Sequence, residues 1–393
     1  MRSLTELMNS ERGIDFLQRR GIFADPRAFA GSLKKPARSA LADTLGLPAD
    51  GNLVYVGQQA CADYEASTAR KFEASSDLQV QQGVAVAMLW HDMYQGDAER
   101  FGTRILLPGG NKVRGLWLVH RSVGAWEPRL IPIDRPRIQE ALAEIEQWVA
   151  HAPNIDRAAA RARLRHLGTV MLDERLETLA HASGAMADCL VREQIGCNAP
   201  STFASTMAAG GLFTDTLNTV LANIEAVVNV FNAAIDRLIA DDIDPQVKPV
   251  PENYLPLHYS CPSDGTRLRL SHERSGGDHY AVATCRCQSQ YRFHLGSGSL
   301  SLGEIEATGR WSLDVSMPVY HNDIASGWVA GRSTALYGLV FNEVIEKVLG
   351  RTPIPALVPA RLADEPTEEK ATRTLLFDYL TAPPPSGAAA VRQ

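Results

Sequence analysis

The stretch WSLDVSMPVYHNDIASGWVAGRSTALYGLVFNEVIEKVLGRTPIPALVPARL, residues 311–362, decides the fold. Val329-Ala330-Gly331 sets a glycine directly before a run in which Leu336, Leu339, Val340, Val344, Ile345 and Val348 recur at helical spacing. Gly350 marks the end of that helix. Pro353 and Pro359 then bracket the mostly apolar run 354–358, which suits a short extended segment beneath it. Extended segment, glycine turn, helix and extended segment make half of an α/β layer of the nucleotide-binding type. Ligands gather where such strands end, because helix N-terminal amides point into the crevice there. The expected site residues in this stretch are Asn322, Asp323, Gly331, Arg332, Ser333 and Thr334.

The other half is sought upstream. Leu53-Val54-Tyr55-Val56 followed by Gly57-Gln58-Gln59 reads as a buried strand with a tight turn at its carboxyl end. Residues 60–73 read as a helix, VAVAMLW (84–90) as a second buried strand ending in His91-Asp92, and LWLVH (116–120) as a third strand. Strand, helix, strand at this spacing implies a right-handed crossover in a parallel sheet. The turn amides of Gly57 and the side-chain amides of Gln58 and Gln59 suit a phosphate or an adenine edge. His91 and Asp92 are candidates for general base, metal ligand or amine anchor. Asn322 and Asp323 suit an amino group or a ribose, and Arg332 a bidentate hold on carboxylate or phosphate.

The chain has 393 residues, 45% of them hydrophobic, enough for a sizeable core divided among two or three substructures. Lys+Arg number 39 against Asp+Glu 45, a net charge of −6 without a basic block, which argues against a nucleic-acid groove. Arg157, Arg161, Arg163 and Arg165 read as a solvated helix face. No apolar run approaches the ~20 residues of a spanning helix. The first 21 residues carry charges where a signal peptide has its apolar region, so the expectation is a cytoplasmic protein without membrane contact.

From Pro136 long amphipathic stretches with few breakers predict a helical insertion, residues 134–250. Residues 215–242 read as one helix of roughly seven turns whose apolar stripe serves the core or a homodimer contact. Residues 1–133 and 297–365 would be the two halves of the core. The composition of 366–393, ending TAPPPSGAAAVRQ, predicts a flexible tail.

Residues 254–296 carry the sharpest chemical signal: His258, Cys261-Pro262-Ser263-Asp264-Gly265, a Gly276-Gly277 turn, and Cys285-Arg286-Cys287. Cys-Pro-x-x-Gly is a zinc-knuckle turn, with Asp264 where the knuckle's second cysteine would stand. Tetrahedral zinc takes four N, S or O ligands. Cys261, Cys285 and Cys287 supply three, and His258, Asp264, His272 and His279 are candidates for the fourth, His258 being the one assigned. A structural zinc would tie down a β-hairpin with little core of its own.

The chain resembles the cysteine-adding ligase family of bacillithiol biosynthesis in VYVGQQACADY (54–64), in VAVAMLWHDMYQGD (84–97) and in residues 311–362. The match covers about a third of the chain. The family's Gly-Pro-Leu-Tyr continuation is replaced here by residues 60–69, its acidic/His cluster is reordered to His91-Asp92 with Asp97 further on, and its Gly-Pro-Gly-Glu turn is Gly331-Arg332-Ser333-Thr334. The resemblance implies an α/β fold with a Rossmann-like parallel sheet core, related to class I aminoacyl-tRNA synthetases and interrupted by the helical and zinc-hairpin insertions. It implies carbon-nitrogen ligation of an amino acid to a small-molecule amine or carboxylate, with ATP as activating nucleotide. An aminoacyl-tRNA- or carrier-protein-dependent transferase and a catalytically degenerate binding protein are the alternatives. Catalysis then falls to His91, Asp92 and Asp323. Substrate or nucleotide binding falls to Gly57, Gln58, Gln59, Trp90, Asn322, Gly331, Arg332 and Ser333, with Arg361 a further candidate.

Overall fold

The computed structural model describes residues 1–34, 39–48, 51–98, 101–109, 112–314, 316–360 and 374–383. At its centre, β1 (Ile22–Phe23), β2 (Leu53–Gln59), β3 (Ala85–His91), β6 (Ser201–Phe203), β12 (Gly327–Val329) and β13 (Ala356–Leu357) form one sheet in the order β1-β13-β12-β2-β3-β6. Every neighbouring pair in it runs parallel, so the chain is an α/β protein.

The apolar runs of β2 and β3 explain their central position, since a strand covered on both faces needs apolar side chains on both. Strand alternation sends Val54, Val56, Val86, Met88 and Trp90 into one core and Tyr55, Ala87 and Leu89 into another. Helices Ala66–Gln82, Arg135–His151, Arg157–Met171 and Leu179–Leu190 contribute to the first core; Thr214–Ala222, Ile224–Ala240 and Arg332–Lys347 contribute to the second. The helices of residues 134–250 therefore cover both faces of the sheet, and the same stretch adds β6 to its edge.

From β12 onward the deciding stretch follows its anticipated order of strand, Gly331 turn, helix and strand. Its first three residues instead form β11 (Trp311–Leu313), which lies in a second, antiparallel sheet. That sheet has the order β10-β9-β8-β7-β11, with β7 (Tyr254–Ser260), β8 (Arg267–Ser275), β9 (Asp278–Thr284) and β10 (Gln290–Gly296).

Three expectations are corrected. LWLVH is not a third parallel strand: β5 (Lys112–Trp117) pairs antiparallel with β4 (Arg104–Gly109) in a separate hairpin. The two runs are too close in chain for a crossover, which needs a dozen or more residues, so they pair locally. The seven-turn helix breaks at Asn223, which leaves helical dihedrals (φ −117°, ψ 24°) while its side-chain amide donates to the Thr219 carbonyl at 2.9 Å, the usual competition of Asn with helix backbone. The tail contains a docked helix, Leu375–Thr381. Its Leu375, Leu376, Tyr379 and Leu380 are buried at helical spacing, Thr374 caps it, and the buried Asp63 carboxylate accepts from the Leu376 amide at 2.9 Å. Among the described residues no helix is long and apolar enough to cross a membrane.

Candidate functional site

From β2 the chain moves outward through β3 to β6, and from β12 it moves the other way to β13. The boundary between β2 and β12 is therefore where the two connection directions part, and a crevice opens there beyond the carboxyl ends of the strands. A small cavity of about 90 Å³ lies at this point, lined by the end of β2 (Gly57, Gln58, Gln59), by Lys71, His91 and Tyr94, by Tyr320, His321 and Trp328, and by Thr334 and Tyr337 of the helix that follows β12.

Lys71 comes from the helix after β2 and is buried. Its ammonium donates to the Gly57 carbonyl at 3.1 Å and to the Gln58 side-chain oxygen. Gln58 in turn donates to the Gln59 side-chain oxygen at 2.7 Å. Burial, and then the Lys71 charge, push the His91 imidazole down to about 4, so it is neutral at pH 7. The ring rests on Gly57: a Cβ there would stand 3.0 Å from His91 Nε2, a contact that would press the ring aside. His321 is pushed down to about 3 by burial and by His91, and it shares a hydrogen bond of 2.9 Å with the Tyr55 hydroxyl. The Tyr320 hydroxyl is buried and has no hydrogen-bond partner among the described residues, a costly condition that a polar ligand atom would relieve. Gly331 caps the following helix without a side-chain hydrogen bond.

Of the expected residues, Gly57, Gln58, Gln59, His91 and Thr334 come together here, and Gly331, Arg332 and Ser333 open the neighbouring helix. The others do not join them. Asp92 is buried and accepts from the Ser205 amide at 3.0 Å and from its hydroxyl, tying β3 to helix Ala204–Ala209. Trp90 faces the opposite core, stacked on Tyr64 with its indole N–H donating to Asp188 at 3.0 Å. Asn322 and Asp323 lie at the other end of the sheet, in a hollow of about 860 Å³ beside Gly21, Ser326 and Pro355, the residues that precede β1, β12 and β13. There Asn322 holds the Thr352 carbonyl at 2.5 Å and Asp323 pairs with Arg351 at 2.8 Å. Both belong to the one-turn helix His321–Ile324, whose first residue, His321, lines the crevice instead. Arg361 lies outside the described residues. Lys71, Tyr320 and His321 were missed because a lysine in a polar helix and aromatic residues near a proline carry no motif; only the helical register of residues 66–82 relative to Gly57 signals Lys71.

The cysteines meet at one end of the antiparallel sheet. One ligand-type atom from each of Cys261, Asp264, Cys285 and Cys287 lies within 4.8 Å of the others, so this cluster could hold a metal ion. Cys261 and Cys287 sulfurs are 3.6 Å apart, and the Cys285 thiol donates to Asp264 at 3.3 Å. The knuckle turn is set by Gly265, whose φ of 68° and whose place against the Trp126 ring leave no room for a Cβ. The fourth corner belongs to Asp264 and not to His258. His258 is a mid-strand residue of β7, buried between β11 and β8 opposite Ser312 and Arg269, and is not among the ligand atoms that gather within 4.8 Å. His272 and His279 pair with each other at 2.8 Å on β8 and β9. Hydrogen bonds from the Thr266 amide and side chain hold the Asp264 carboxyl well below its usual range, and Ser289 brings the Cys287 thiol down to about 7. Three thiols and one carboxylate are a donor set that zinc accepts.

The fold and these two sites define an α/β protein with a polar crevice at the parting of its parallel sheet and a cysteine-rich cluster on an antiparallel one. No protein-family model matches the chain, and comparison with curated proteins gives no match.

Proposed function

We propose that this chain is a nucleotide-dependent carbon-nitrogen ligase on a Rossmann-like core, joining an amino acid, cysteine or another, to a small-molecule amine or carboxylate. One observation carries this proposal. Lys71, neutral His91 and Tyr320 all line the crevice between β2 and β12. Strand order β6-β3-β2-β12-β13 is that of a Rossmann-like sheet, with β1 added at its edge, and the crevice is its switch point.

Amide formation requires a carboxylate made electrophilic and an amine that arrives unprotonated. Lys71, with the positive end of the helix dipole after Gly331, balances the negative charge of an acyl phosphate or acyl adenylate. Neutral His91 accepts a hydrogen bond from the attacking amine, and Tyr320 donates to the carbonyl oxygen on which charge develops. The cavity admits the reacting groups only, so nucleotide entry requires the crevice to widen. Cys261, Asp264, Cys285 and Cys287 would hold zinc in a structural role. All four positions are filled by protein, which leaves the metal without the open position that catalysis needs.

The test is a thermal-shift panel in which ATP, ADP and AMP with magnesium are crossed with the standard amino acids, run on wild type and Lys71→Met. A nucleotide shift enlarged by one amino acid and lost in Lys71→Met is expected. No shift with any combination overturns the ligase and favours aminoacyl-tRNA- or carrier-dependent transfer, or a binding role.

A further inference from the structure

A second group of ligand-type side chains lies in the helical layer, far in sequence from the cysteine cluster. His166 comes from helix Arg157–Met171, Cys189 from helix Leu179–Leu190, and Glu193 from the π-helical turn Val191–Ile195 that continues it. Cys189 and Glu193 are four residues apart and so share one helix face. His166 Nε2 lies 2.9 Å from Glu193 Oε1, and the Cys189 thiol donates to the same oxygen at 3.6 Å. The three ligand atoms all lie within 4.8 Å of one another. The Tyr379 hydroxyl donates to the other carboxylate oxygen at 2.5 Å, which fixes the rotation of the carboxylate with Oε1 toward His166 and Cys189.

We propose that His166, Cys189 and Glu193 form a second metal site, which takes a zinc-type divalent cation with water as fourth ligand. One nitrogen, one sulfur and one oxygen suit a borderline-soft ion and exclude magnesium and calcium, which require oxygen. With metal bonds of about 2.0–2.3 Å, tetrahedral ligand atoms stand roughly 3.3–3.8 Å apart, so closing around an ion needs only small side-chain adjustments. Cys189 is buried while His166 and Glu193 are exposed, and the open side faces solvent where water completes the shell. Tyr379 acts on the carboxylate as outer-shell partners do, holding a ligand in orientation.

On binding a dication the Cys189 thiol releases its proton to solvent, and the thiolate and the Glu193 carboxylate together neutralise the ion. π-Helical turns recur at functional sites because they re-aim one residue of a helix, here Glu193. The bound ion would join two helices of the layer and, through Tyr379, the C-terminal helix Leu375–Thr381.

The test is cobalt(II) titration of metal-free full-length protein, with wild type compared to His166→Gln and Cys189→Ala. His166 is exposed, so His166→Gln folds as wild type does, and it remains decisive if Cys189→Ala does not fold. The expected result is that His166→Gln binds one equivalent less than wild type. In a Cys285→Ser/Cys287→Ser variant the cobalt-thiolate absorption of a single sulfur persists, and it disappears when Cys189→Ala is added. Equal cobalt content in wild type and His166→Gln overturns the proposal.

Discussion

The crevice and the cysteine cluster hold polar groups in place by opposite means. Gly57, Lys71, His91, His321 and Thr334 come from five segments spread over most of the chain, and a parallel sheet buried on both faces brings them together. Cys261, Asp264, Cys285 and Cys287 come from two neighbouring turns of one antiparallel sheet. Beside those turns β8, β9 and β10 each bury a single residue, whereas Val86 to Trp90 of β3 are buried without interruption. The parallel sheet holds its site through core burial alone. In the antiparallel sheet β7 and β11 are buried throughout, and it is the outer strands β8–β10 that lean on their turns and on what those turns would bind.

That contrast breaks first at Gly265. Gly265→Ala drives a Cβ into the Trp126 indole and strains a positive φ, and is expected to cost about 3 kcal/mol or more in chemical denaturation, the range of severe core substitutions. Chelation should act on the same region alone, speeding amide exchange in β8–β10 while β2 and β3 stay protected. Equal loss of protection in both sheets would show that they do not differ in this way.

Acid comes next in size. His91 has a folded-state value of about 4 against an ordinary 6.5, so protons bind the unfolded chain more readily. Its contribution is present above pH 6.5 and is lost as pH falls to 4, about 3 kcal/mol in total. Asp63, which burial pushes up to about 7, has the opposite sign across this window, so the readout is the difference between wild type and His91→Gln in urea denaturation at pH 7 and pH 4.5. Parallel curves for the two proteins would remove His91 from the buried side of the comparison.

For the crevice chemistry, Lys71→Met is expected to lower turnover about 100-fold, the scale of losing one group that stabilises developing charge. The same substitution should raise the His91 value measured by NMR titration, because it removes one of the two causes that depress it. The smallest effect belongs to Asp323→Asn. This residue pairs with a half-exposed Arg351 at the other end of the sheet, so stability should change by less than about 1 kcal/mol and turnover by less than about twofold. A large loss of turnover would return Asp323 to the site.

Local pattern made much of this legible. The apolar runs at 53–56 and 84–90 read as buried strands, and the 3.6-residue spacing of Leu336 to Val348 as a helix. Cys-Pro-Ser-Asp-Gly and Cys-Arg-Cys announced a shared cluster because both turns carry their ligands within a few residues. Where two segments had to be compared, pattern failed. LWLVH has the composition of a parallel strand, but its nearness to residues 104–109 made a hairpin. Asn322 and Asp323 stand nine or fewer residues before Gly331, yet a strand between them places them at opposite ends of the sheet.

The sequence by itself determined which segments are strands and helices and which turns carry thiols, since periodicity and turn chemistry act over a few residues. The tertiary structure alone decided that Lys71, His91 and Tyr320 share one cavity and that Asp264 displaces His258 from the cysteines. Those outcomes depend on strand order and on which face a side chain takes, and both are fixed by burial of apolar surface across the whole chain.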